Sequence, residues 1–288
     1  MVEGVLIGAR FALMIDLALL MGLPLFWSVM RLTGQRWVLV ALAVSGMMLS
    51  ALWLLAGAAS MTGTPITTPD WASAQILLTM TPIGPVLAVR GAALLVALAC
   101  AGLRRGDRIV LFPAAIAAAT LAWSGHAGAT EGFAGTVHRI ADVAHIWAAS
   151  GWIGALSVLL HAMIARRPDD AHVRRVSTML SRFAVMGTVI VATLLVSGII
   201  NGVMIVGLAQ LPDLAGSHYG WLLAGKLMLF WLMLGLAAVN RWWLTPVLES
   251  DEPQRAIAHL RLSLAIETGA AIAIIGLVAW LGTLDPMA

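Results

Sequence analysis

Charge is what this chain has least of. Only 11% of its 288 residues are Asp, Glu, Lys or Arg, against about 25% in an ordinary soluble domain. With 61% hydrophobic residues and a mean hydropathy of +0.95, that deficit excludes a soluble globular chain. Lysine is nearly missing, Lys226 being the only one. The single cysteine, Cys100, lies inside an apolar run, which excludes a disulfide framework and a CxxC metal site. No phosphate-cradling loop, nucleophile elbow or HExxH occurs, so the chain is expected not to be an enzyme. Nor does a pI near 10.0 point to nucleic acid, because the basic residues sort by position between apolar runs rather than forming one patch.

What is present is a series of apolar runs of roughly 18 residues or more, the signature of membrane-spanning helices. The pattern predicts an all-α, polytopic membrane protein, a single transmembrane domain over 1–288. Its eight helices are expected near 5–30, 37–59, 82–103, 109–124, 137–163, 182–206, 219–240 and 260–284. The first run starts almost at Met1 without a small-residue cleavage site, and reads as a retained span. Loops one, three, five and seven hold 13 of the 16 arginines, and loops two, four and six hold none. The positive-inside rule then puts the odd loops in the cytoplasm and both termini outside. All loops are short. Loop five, "ARRPDDAHVRRVSTML", has room for an amphipathic surface helix.

The two halves share an ordered set of matches. Asp16 and His145 each precede a glycine (Gly22, Gly151) by six residues. "SGMM" in span two parallels "SGII" in span six, and Arg90 and Lys226 each follow a glycine (Gly84, Gly220) by six residues. Four spans separate the partners, which predicts a parallel 4+4 repeat with a site where the halves meet.

The polar residues inside the membrane concentrate in span five. His138, Asp142 and His145 fall at about 0°, 40° and −20° on an ideal helix, one narrow face. His126 precedes that helix and can fold over its top. Imidazole and carboxylate suit Cu(II), Zn and Fe, whereas thioether favours Cu(I). The Cα atoms of His138 and His145 should stand about 10 Å apart. One arrangement is therefore a single site of Asp142, His126 and one of these histidines. The other is a short ladder of sites leading inward. Structural pairing and haem ligation are the alternatives to metal binding. Accessory ligand candidates are Asp16, Met61, Met80, Met204 and His218. Arg90, Lys226 and Glu267 are intramembrane charges, the two cations being expected to pair with Asp16 or Asp142 or else to hold an anionic group.

The segments "SGHA" (124–127), "VHRIADVAHIWAASGWIGAL" (137–156), "SRFAVMGTVIVATLLVSGIING" (181–202) and "YGWLLAGKLMLFWLMLGLAAVNRWWLTP" (219–246) resemble the CopD family of copper-resistance inner-membrane proteins. The resemblance is most specific over 120–284. It implies copper, as Cu(I) or Cu(II), handled at or across the bacterial inner membrane beside a separate periplasmic CopC-like carrier. It makes His126, His138, Asp142 and His145 the ligand candidates, with Lys226 and Glu267 as motif positions. The chain departs from the family where Asp16 stands in place of a frequent histidine.

Overall fold

A computed structural model of the protein describes residues 2–103, 106–163, 170–207, 212–247 and 253–286. Every regular element among them is helical. In chain order these are α1 (Val2–Met30), α2 (Arg36–Thr62), α3 (Trp71–Met80), α4 (Ile83–Ala101), α5 (Gly106–Ile109) and α6 (Leu111–Ala119). Then come α7 (His126–Ala129), α8 (Gly132–Met163), α9 (Asp170–Val206), α10 (His218–Val239), α11 (Thr245–Val247) and α12 (Pro253–Leu281). A 3₁₀ turn, Thr120–Trp123, continues α6, and a π-helical turn, Asn240–Leu244, continues α10.

Seven of these helices (α1, α2, α4, α8, α9, α10 and α12) are long and apolar enough to cross a bilayer, which makes the chain a polytopic all-α membrane protein. The fourth expected span is different. Residues Leu111–Trp123 form a shorter apolar helix, about 20 Å long from its α and 3₁₀ rises. Pro113 has no N–H to give the carbonyl of Ile109, where α5 ends, and the chain leaves the helix again at Ser124–Gly125. Expected loops also hold structure. Asp70 caps α3 by accepting from the Ala72 and Ser73 amides at 3.0 and 3.2 Å, and from the Ser73 hydroxyl at 2.7 Å. Those bonds, the Ser73 hydroxyl foremost, hold the Asp70 carboxyl below its usual range. The end of loop five belongs to α9, which starts at Asp170 rather than near 182.

The centre of the molecule is the crossing of α1 and α8. A Cβ on Gly22 would lie 2.0 Å from the Ser150 carbonyl oxygen, and one on Gly154 would lie 2.2 Å from the Gly22 carbonyl carbon. Without side chains at both positions the backbones touch, the usual way membrane helices gain dispersion contact. Around this pair lie two cores. Leu13, Leu17, Leu20, Leu94 and Ala97 pack α1 with α2, α4 and α6. Phe26, Trp152, Leu156, Leu159 and Leu260 pack α1 with α8, α9 and α12. In the first group α2 lies against α4, but α9 and α10 scarcely touch, so the face of α10 carrying Met228 and Trp231 is open to lipid.

One end of the bundle brings the chain termini together. Arg10 Nη1 donates to the Ser124 carbonyl at 3.0 Å, and Gly282 lies directly against the same guanidinium. The start of α1, the turn after α6 and the end of α12 therefore share that end.

Candidate functional site

The predicted face of α8 points into the second helix group, and each of its polar residues meets a different neighbour. His138 is buried, with Nδ1 2.9 Å from the Thr130 hydroxyl. The backbone of Thr130 is held in turn by Arg139, whose Nη1 donates to its carbonyl at 3.1 Å. One turn along α8, Asp142 Oδ1 accepts from Asn201 Nδ2 of α9 at 2.9 Å. Next, His145 Nδ1 stands 2.9 Å from the Ser197 hydroxyl. Lys226, half-buried on α10, acts electrostatically on both Asp142 and His145.

The His145 contact fixes a tautomer. Ser197 has one hydroxyl proton, and the Thr193 carbonyl, 2.5 Å away, accepts it. The serine oxygen can then only accept from His145, so Nδ1 carries the imidazole proton. Nε2 is left with a free lone pair, the arrangement of a metal-binding imidazole oriented from behind.

Depth can be read from the layer where Val206, Tyr219 and Leu281 pack together. At 1.5 Å per residue, Asn201 lies about 8 Å further into the bundle, Lys226 about 10 Å, Ser197 about 14 Å and Glu267 about 20 Å. Glu267 is buried and accepts from Asn240 Nδ2 at 2.5 Å and from Ser263 Oγ at 3.5 Å. Asn240 opens the π-helical turn, a distortion of the ladder that often marks functional positions.

The remaining candidates scatter. Asp16, buried on α1, accepts from the Ser45 hydroxyl of α2, and its Oδ2 has no hydrogen-bond partner. Arg90 does not pair with it. Arg90 Nε donates to the Thr120 hydroxyl at 2.7 Å and its guanidinium lies 5.6 Å from the Trp53 ring centroid. Thr120 is one helical turn from Ser124, so Arg90 sits near the level of Arg10, about 9 Å from Asp16 along α1. Met61 and Met80 are exposed at the ends of α2 and α3, and Met204 is half-buried on α9. His218 is exposed, edge-on to Trp280 with centroids 5.2 Å apart. The His126 side chain lies outside the described residues. Among the described residues no three His, Cys, Asp or Glu side chains gather closely enough to hold one ion. Sequence reasoning missed Asn201, Ser197, Ser45 and Thr120. Both serines stand in the "SG" pairs matched between the halves, so the signal was there without its chemistry.

An all-helical, multi-pass membrane protein with imidazole, carboxylate and ammonium groups along one inner face is the class this fold and face define. The family model "Copper resistance protein D" matches residues 177–281, and "Copper resistance protein D-like, N-terminal domain" matches residues 1–136. The chain is 37% identical to "Copper resistance protein D" of Pseudomonas syringae pv. tomato, covering 97% of this chain and 96% of that protein. It is 31% identical to "Inner membrane protein YebZ" of Escherichia coli (strain K12) over 58% of this chain and 55% of that protein. No solved structure matches. The chain belongs to the copper resistance protein D family.

Proposed function

We propose that this chain takes copper at the periplasmic face of a bacterial inner membrane and passes it inward along α8. The copper would arrive from a separate CopC-like carrier. The observation that carries the reading is the succession of polar stations on one face. His138 with Thr130, Asp142 with Asn201, and His145 with Ser197 each have a different partner, which suits a ladder of transient sites better than one closed cage. Copper is cargo here, and a path must bind it weakly enough to release it. Imidazole serves both copper oxidation states, and Met204 would favour Cu(I). Glu267, held by Asn240, continues the polar line about 7 Å beyond Ser197. Haem is the weaker alternative, since His138 and His145 share one helix and cannot clasp one iron from opposite faces.

In this reading the chain crosses eight times, with α5, α6 and the 3₁₀ turn as the short fourth crossing and both termini periplasmic. The shared end of α1, α12 and the turn at Ser124 supports an even number of crossings. The halves are read as a parallel repeat. Ser45 bonds Asp16 as Ser197 bonds His145, and the following glycines, Gly46 and Gly198, lie against the same two side chains. Gly84 and Gly220 each close on the carbonyl six residues earlier, Leu78 and Leu214.

The deciding experiment is copper content per chain of the purified protein, for wild type and for His138→Ala, Asp142→Ala and His145→Ala, with uptake into proteoliposomes holding a trapped copper indicator. Retained copper that falls in each variant, with inward flux, is expected. Binding without flux would instead make the chain a delivery factor. A protein that neither binds added copper in titration nor passes it into the proteoliposomes would remove the reading altogether.

A further inference from the structure

The other helix group holds two arginines that the copper reading does not use. At the end of the bundle shared by the termini, a pocket of about 580 Å³ is lined by Glu3, Arg10, Trp53, Ser60 and Thr283, among others. Arg90 does not line the pocket; it is fully buried, with its guanidinium over the ring of Trp53, which does. Arg10 and Arg90 are close enough to repel each other. Neither has a carboxylate partner among the described residues. Arg10 gives Nη1 to a backbone carbonyl, and Arg90 gives Nε to a threonine hydroxyl. Arg10 Nε and both Nη atoms of Arg90 are buried without a hydrogen-bond partner.

Two neighbouring cations in an apolar bundle are expensive unless an anion neutralises them. Asp16, the nearest internal carboxylate expected to do so, is engaged by Ser45 instead. Glu3 lies on the pocket wall but is exposed and forms no ion pair with Arg10. Guanidinium forks match the paired oxygens of carboxylate and phosphate, and the volume is that of a small-ligand site. We propose that this pocket binds an oxyanion, a carboxylate or a phosphate, on the Arg10 guanidinium, with the buried charge of Arg90 behind Trp53 adding to the attraction. A free phosphate and a lipid headgroup present the same oxygens, and the two sources are separated by the test.

The test uses the full chain and reads the rise in unfolding temperature on adding ligand. In uncharged detergent at constant ionic strength, sodium phosphate and sodium acetate are titrated. In nanodiscs, phosphatidylcholine alone is compared with phosphatidylcholine containing phosphatidylglycerol. A saturable rise is expected in at least one arm. The detergent arm responds if the ligand is a soluble anion, and the nanodisc arm alone responds if it is a headgroup. Arg10→Gln, at the pocket wall, should weaken the apparent affinity more than tenfold, and Arg90→Lys, which keeps the charge but loses the fork, should weaken it less. A purely structural arginine would lower the starting midpoint and leave the ligand-induced rise intact. That result, or no saturable rise in either arm, overturns the proposal. Copper binding by the Arg10→Gln protein should be unchanged, so the two sites fail or hold separately.

Discussion

Ser197 decides what His145 can do. With its only proton committed to the Thr193 carbonyl, it accepts from Nδ1 and leaves Nε2 as the nitrogen with a lone pair. Replacing it with alanine removes no ligand and little volume, but frees the ring to rotate and to change tautomer. Ser197→Ala is therefore expected to lower copper affinity by about 10- to 100-fold, as loss of an orienting partner does at other metal sites. Titration of the purified protein with a competing chelator measures it, and an unchanged affinity would show that His145 is not a ligand. At this scale the sequence was half legible. The spacing of His138, Asp142 and His145 follows the helical period, so their common face could be read directly. The partner of Arg90 could not, because pairing across helices depends on relative depth. Arg90 lies nearer the level of Arg10 than of Asp16, and a hydroxyl and an indole ring were its nearest neighbours.

Among the elements, α1 and α8 carry the closest packing in the molecule. The backbones meet at Gly22, Ser150 and Gly154 at distances that admit no side chain. Gly22→Val must push the helices apart along their whole crossing, with both cores attached to them. Overpacking on this scale costs about 1–3 kcal/mol or more, so the unfolding temperature should fall clearly, and copper binding with it, because α8 carries the face in question. Gly4→Val, where a Cβ meets nothing within 4 Å, is the control and should behave as wild type. Equal midpoints for the two variants would remove the crossing as a source of stability. Long apolar runs made α1, α2, α4, α8, α9, α10 and α12 legible. α3 was missed although Asp70 supplies an N-cap signal, because a short helix between two spans has no distinctive hydropathy. The stretch expected as the fourth span, 109–124, is divided into α5, α6 and a 3₁₀ turn, a division that a run of apolar residues does not reveal.

The whole molecule raises the question of how many times the chain crosses. Length and composition alone qualify seven helices, which would put the termini on opposite sides. Yet the start of α1, the turn at Ser124 and the end of α12 meet at Arg10, and the arginine-poor loops belong to that same end. A short crossing costs only fractions of a kcal/mol per Å of mismatch, as the bilayer thins locally around it. That is small beside exposing the helix ends, and it makes α6 with its flanking turns a workable eighth crossing. Labelling in intact cells distinguishes the cases. With Cys100 replaced by alanine, single cysteines are introduced at Thr67, Gln35 and Asp285 and treated with a membrane-impermeant maleimide. Eight crossings with the termini outside require Thr67→Cys and Asp285→Cys to react in intact cells, and Gln35→Cys to react only after permeabilisation. If Asp285→Cys instead behaved like Gln35→Cys, the crossing number would be odd. The periplasmic carboxyl terminus would be lost, and with it the parallel relation between the halves, since four crossings must separate His145 from Asp16 for both to face the same way.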